Sequence, residues 1–154
     1  IALTRTEIEG IVKANPDRVV LIDEAYVDFG AESCVELTKK YGNLMVVCTY
    51  SKSRSMAGAR LGFAIANESL IADLEKIKYS TNPYNINRLT MKLGEATVDA
   101  ESYYQEKCAE IIRVRKWTAE QLEELGFTVL PSDTNFVFAK TDKMDGEKLY
   151  LELI

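Results

Sequence analysis

Histidine is absent from the 154 residues. That excludes Ser-His-Asp and Cys-His catalysis within this chain, and leaves proton transfer to Lys, Tyr, Cys or carboxylates. Cysteine is scarce. Cys34, Cys48 and Cys108 show no CxxC spacing and have no histidine to complete a zinc site, so no metal centre is expected. Three scattered thiols fit free cysteines in a reducing cytoplasm. No basic run is present, and the net charge of −5 argues against a nucleic-acid partner, because phosphate backbones are bound by basic stripes. The longest apolar stretches, Val19 to Ile22 and Leu44 to Cys48, are strand-length and far too short to span a bilayer. No membrane partner and no signal peptide are read. What remains is 47% hydrophobic and 28% charged, the balance of a folded chain with a usable core. Its length suits one domain or one and a half small ones. The chain opens on Ile1 and closes on Glu147 to Ile154, a helical stretch without a terminal cap or glycine. It is read as an interior piece of a longer protein.

The pattern along the chain predicts a helix from Thr4 to Ala14, with Thr4 as N-cap and Glu7 completing a capping box. Asn15-Pro16-Asp17 stops it. Val19 to Ile22 reads as a strand covered on both faces, ending in Asp23-Glu24. Ser33 to Tyr41 reads as a second helix, Leu44 to Thr49 as a second buried strand, and Leu61 to Ala66 as a third. This alternation predicts an α/β fold with a mostly parallel sheet and helical crossovers. Helices follow over Glu68 to Ser80, Arg88 to Asp99 and Glu101 to Leu125, the last stopped by Gly126. Two short strands, Phe127 to Leu130 and Asn135 to Ala139, open a smaller α+β unit.

The strongest chemical signal is Ser51-Lys52, directly after the second strand. Ligands in open α/β sheets sit beyond the carboxyl ends of the strands, and Asp23 and Lys52 both fall there. A lysine at such a place can form a Schiff base, and an aspartate can pair with a protonated ring nitrogen. A pyridoxal cofactor requires both. Ser51, Ser53, Gly58 and Arg60 supply hydroxyls, close backbone approach and a guanidinium fork suited to a phosphate. Tyr26 lies three residues after Asp23, within reach of a ring oxygen. Each feature also has a plainer reading. Lys52 can be a solvated surface residue, Asp23-Glu24 a cap for the next turn, Arg60 a surface ion pair, and Tyr26 a packing residue over the sheet edge.

The combination resembles a known family. Val20 to Phe29, with Asp23-Glu24-Ala25-Tyr26 at its centre, is similar to the "DEAY" segment of the histidinol-phosphate aminotransferases. Thr49-Tyr50-Ser51-Lys52-Ser53 followed by Ala57 to Phe63 resembles their Schiff-base motif, with Arg60 eight residues after Lys52. Asn82 to Asn87 and Thr134 to Val137 resemble further family segments in the same order.

The resemblance implies a fragment of the large domain of a fold-type-I pyridoxal-phosphate transferase, over residues 1–103. A linking long helix and the start of the small α+β domain would fill 104–154. It implies pyridoxal 5'-phosphate as cofactor, Lys52 as the Schiff-base lysine and acid/base, and Asp23 on the pyridine nitrogen. Tyr26 would hold the ring oxygen, and Ser51 and Arg60 the phosphate. The family exchanges an amino group between histidinol phosphate and 2-oxoglutarate in histidine biosynthesis, as cytoplasmic homodimers. Related decarboxylases of phosphorylated amino acids, aromatic aminotransferases, and a non-catalytic α/β binding module are the alternatives. Two departures stand out. Arg54 replaces an apolar residue common in relatives, which predicts different packing of the loop. The glycine-containing phosphate loop, the ring-stacking aromatic and the substrate-carboxylate arginine match no segment here, so weak or no activity is expected of this piece alone.

Overall fold

The computed structural model describes residues 2–154. The chain begins with the expected capping box. Thr4 Oγ1 accepts from the Glu7 backbone N–H, and the Glu7 carboxylate accepts from the Thr4 N–H at 2.7 Å, opening helix α1 (Arg5–Ala14). Ile8 and Val12 are four residues apart on one face of α1, and both are buried.

They cover one face of a three-stranded sheet. Strand β1 (Val20–Asp23) pairs parallel with β2 (Leu44–Thr49), in the register Val20 to Leu44 and Asp23 to Val47. The third strand, β3 (Gly62–Ala66), runs antiparallel to β2. The mixed α/β class expected from sequence holds, but the sheet is less parallel than expected. The reason is the loop between β2 and β3. It folds back on itself, with Tyr50 N–H donating to the Leu61 carbonyl at 3.0 Å, and returns the chain at the end it left.

Alternation fixes what each strand buries. Leu44 and Val46 join Ile8, Val12, Cys34 and Leu37 in one core, with Val20 and Ile22 packed against it. On the opposite face Leu21 is 55% exposed, so β1 is covered on one side and not on both as its apolar run suggested.

The crossover from β1 to β2 also departs from expectation. Ser33 to Tyr41 is not an α-helix; only Val35–Lys39 is helical, as a short 3₁₀ segment. Both ends are pinned. The buried Glu24 carboxylate accepts from Ser33 Oγ at 2.7 Å and the Cys34 N–H at 2.6 Å. Glu9 holds Lys40 and Tyr41 at the other end. Burying Cys34 and Leu37, three residues apart, suits a three-residue turn better than a 3.6-residue one.

The later helices are α2 (Glu68–Thr81), α3 (Arg88–Asp99) and α4 (Glu101–Glu124). Gly126, at φ +88°, ends α4 as a left-handed C-terminal residue. A second sheet follows, in which β4 (Thr128–Leu130) pairs antiparallel with β5 (Phe138–Lys140). Helix α5 (Gly146–Leu153) is capped by Asp145, whose carboxylate accepts from two backbone N–H groups. Among the described residues no helix is long and apolar enough to cross a membrane.

Glu9 ties α1 to the crossover. Lys40, Tyr41 and Lys13 donate to its carboxylate and hold its pKa down at about 2, against an ordinary 4.5. A depressed carboxyl stabilises the fold above its unfolded value and loses that contribution as pH falls toward the folded value. Glu9→Gln is therefore expected to lower the thermal midpoint at neutral pH. The gap between parent and variant should close between pH 4.5 and about 2; a gap independent of pH would contradict this network.

Candidate active site

Parallel pairing sends both β1 and β2 toward the same edge of the sheet, and the candidate residues gather beyond it. Asp23 is the last residue of β1 and is exposed. Its carboxylate accepts from the Ala25 N–H at 2.9 Å, which shapes the turn into Tyr26. The neighbouring Glu24 turns the other way, into the core, and its N–H donates to the Val47 carbonyl at 2.9 Å. The two adjacent acids thus divide the work: Glu24 anchors, and Asp23 faces outward.

Lys52 is exposed on the loop that leaves β2. Its Nζ lies 5.1 Å from the centre of the Tyr26 ring, a cation–π distance. Ser51 is positioned by Thr49, which donates to Ser51 Oγ at 2.9 Å and accepts from the Ser51 N–H at 3.0 Å. Arg60 follows a 3₁₀ turn (Ala57–Ala59) and donates to the Ala57 carbonyl at 3.0 Å. The loop stores backbone strain. Ser55 and Arg60 are the described non-glycine residues at positive φ, at +54° and +55°.

Among the described residues, none of Asp23, Lys52 and Arg60 forms an ion pair, although carboxylates and ammonium groups elsewhere on the surface pair freely. Among the described residues the Tyr26 hydroxyl has no hydrogen-bond partner either. One sheet edge therefore presents an amine, a carboxylate, a phenol, a hydroxyl and a guanidinium whose bonding capacity is largely unspent.

Several supports were not legible as site residues. Phe136, within a stretch read as a strand, sits edge-on to Tyr26 with ring centres 5.4 Å apart. Helix α3 braces the Arg60 turn from behind: Thr90 Oγ1 donates to the Ala59 carbonyl at 3.3 Å. Gly94 lies so close to Leu61 that a Cβ there would come within 2.6 Å of its side chain. The signal was the run of small residues Thr90, Gly94 and Thr97 on one buried helix face. Arg54 is part of this support. It pairs with Glu101 at 2.6 Å and lies over Tyr104 at 5.2 Å, which ties the lysine loop to the start of α4.

A family model described as aminotransferase class I and II matches residues 1–153. The chain belongs to this family. A histidinol-phosphate aminotransferase from Acinetobacter baumannii is 51% identical over 153 residues, covering 99% of this chain and 42% of that protein. The solved histidinol-phosphate aminotransferase from Clostridium acetobutylicum is 30% identical, with a TM-score of 0.85 over 98% of this chain and 47% of that one. The enzyme from Sinorhizobium meliloti, solved in complex with pyridoxal-5'-phosphate, matches in fold with a TM-score of 0.82 at 23% identity. It is covered over 92% of this chain and 39% of its own. The chain thus spans less than half the length of the relatives it matches.

The remaining candidate for proton transfer, cysteine, is set aside by its surroundings. Burial, helped by the charges of Glu24, Asp28 and Asp23, pushes the Cys48 thiol from 9.0 up to about 11. The thiolate is the nucleophile. At pH near 8, alkylation of Cys48 in the folded chain is expected to run roughly a hundredfold slower than in the denatured chain. Equal rates, followed by mass spectrometry, would show that the thiol is not shielded.

Proposed function

We propose that this chain carries the cofactor-holding part of a histidinol-phosphate aminotransferase. The observation that carries this reading is the set of unpaired ionisable groups, Asp23, Lys52 and Arg60, on one sheet edge of a chain half-identical to proteins of that name. The donor set fits pyridoxal phosphate. An amine answers an aldehyde, a carboxylate answers a pyridinium, and a guanidinium with a hydroxyl answers a phosphate.

When bound, pyridoxal phosphate supplies an aldehyde for covalent linkage and a ring that accepts an electron pair. The chain's residues do the rest. Lys52 Nζ would hold the aldehyde carbon and would be the base and acid that moves the substrate's α-proton. The Asp23 carboxylate would pair with the ring nitrogen, and would favour its protonated form. Tyr26 would donate its hydroxyl to the ring oxygen. Ser51 Oγ and the Arg60 guanidinium anchor the phosphate, and the bracing by α3 keeps Arg60 from swinging away.

The amino donor of this reading is histidinol phosphate and the acceptor a 2-oxo acid, 2-oxoglutarate, in histidine biosynthesis. The complete protein would be a cytoplasmic homodimer. Residues 1–103 belong to its large cofactor-binding domain. Residues 104–154 contribute a linking helix and part of the small domain, with the junction in the first turn of α4. The 154-residue chain alone would show weak or no transamination, because the parts of the relatives it does not span would complete the pocket.

Incubation with pyridoxal phosphate, borohydride reduction and peptide mapping tests the site. A phosphopyridoxyl group on Lys52 is expected, and none at that peptide in Lys52→Ala. Label spread over surface lysines would overturn the assignment. Turnover of histidinol phosphate with 2-oxoglutarate by the protein from the full reading frame tests the substrate; turnover of aromatic amino acids alone would replace it.

A further inference from the structure

Tyr26 is held by more than its own turn. Arg115, in the middle of α4, is only 9% exposed and reaches two separate segments. Its Nη1 donates to the Phe29 carbonyl at 2.9 Å, at the end of the turn that carries Tyr26. The same nitrogen donates to the Thr134 carbonyl, in the loop between β4 and β5. Asp133 lies 3.9 Å from its Nη2. Nη1 of this largely buried guanidinium is held between two carbonyls and so ties their two segments together.

The second segment is itself rigid. Ser132 Oγ donates to the Phe136 carbonyl at 2.7 Å, and the Phe136 N–H donates to Thr134 Oγ1 at 3.2 Å. Fixing Thr134 therefore fixes Phe136, whose ring meets Tyr26 edge-on. The Lys52 ammonium also lies against Tyr26, 5.1 Å from its ring centre.

We infer that Arg115 is a positioning residue: by clamping the Phe29 and Thr134 carbonyls together it holds Phe136 against Tyr26, and so fixes Tyr26 beside the Lys52 amine. One cation thereby sets the geometry of a site in which it makes no contact, and it joins the β4–β5 unit to the sheet edge. The inference rests on the reading of that edge as a pyridoxal-phosphate site for its consequence, but not for the geometry itself.

Both can be measured separately, in the protein from the full reading frame. Arg115→Met, Arg115→Lys and Phe136→Leu are compared with Arg113→Met, a neighbouring exposed arginine paired to Glu110. In the cofactor-free protein, with lysines isotopically labelled, the Tyr26 ring is expected to shift the Lys52 side-chain resonance, since Nζ lies 5.1 Å from its centre. That shift is expected to collapse in Arg115→Met, to recover in part in Arg115→Lys, and to persist in Arg113→Met. With pyridoxal phosphate added, the rate of capture by Lys52 should fall about tenfold to a hundredfold in Arg115→Met and Phe136→Leu, the scale expected when a reacting group is displaced by about 1 Å. Should Arg115→Met fail to fold, the Lys and Phe136 variants carry both readouts. A folded Arg115 variant with the parent's Lys52 shift overturns the inference. Retention of that pattern of shifts with no capture by the parent protein would instead remove the cofactor reading, and with it the proposed consequence for the site.

Discussion

Everything in this molecule that points to chemistry depends on one pairing, the parallel alignment of Val20–Asp23 with Leu44–Val47. Parallel strands deliver their carboxyl ends to the same edge, so residues distant in sequence share one rim. Slipping the register by one residue would turn Asp23 into the core and Ile22 out of it. The burial of Leu44 and Val46 against Ile8 and Val12 forbids that slip. The buried Glu24 carboxylate adds a second lock, because it satisfies Ser33 and Cys34 only when β1 ends where it does. The site is thus a consequence of core packing on the other side of the sheet.

The sequence was readable where local rules decide. The capping box at Thr4 and Glu7, the apolar strand at Leu44 to Thr49 and the stop at Gly126 each rest on neighbours a few residues away. The rim was readable for a related reason, since strand ends are marked by the change from apolar to polar residues. Reading failed where distant partners decide. Ser33 to Tyr41 has helical spacing, yet anchoring by Glu24 and Glu9 compresses it to a short 3₁₀ segment. The direction of β3 follows from a loop that turns back after Tyr50, and the Tyr50–Leu61 bond continues the antiparallel ladder; no periodicity encodes that reversal. The apolar run of β1 reads as a strand covered on both faces, yet Leu21 stays 55% exposed among the described residues.

The support around the rim shows the same division. Asp23, Lys52 and Arg60 stand out by residue type and position. Arg115, Phe136, Thr90 and Gly94 do not, because their contribution is to hold other residues still. Arg115 is separated from Phe29 by 86 positions and from Thr134 by 19. Such couplings become visible only when the chain is folded, and they join the β4–β5 loop to the turn that carries Tyr26.

The central claim is that one sheet edge gathers Lys52, Asp23, Tyr26 and Arg60 around a single ligand. A crystal structure of the protein with pyridoxal phosphate tests it most directly. The account predicts continuous density from Lys52 Nζ to the cofactor, with the Asp23 carboxylate facing the ring nitrogen, the Tyr26 hydroxyl at the ring oxygen and Arg60 at the phosphate. Density for the cofactor at another lysine, or at Lys52 with Asp23 and Arg60 turned away from it, would contradict the account.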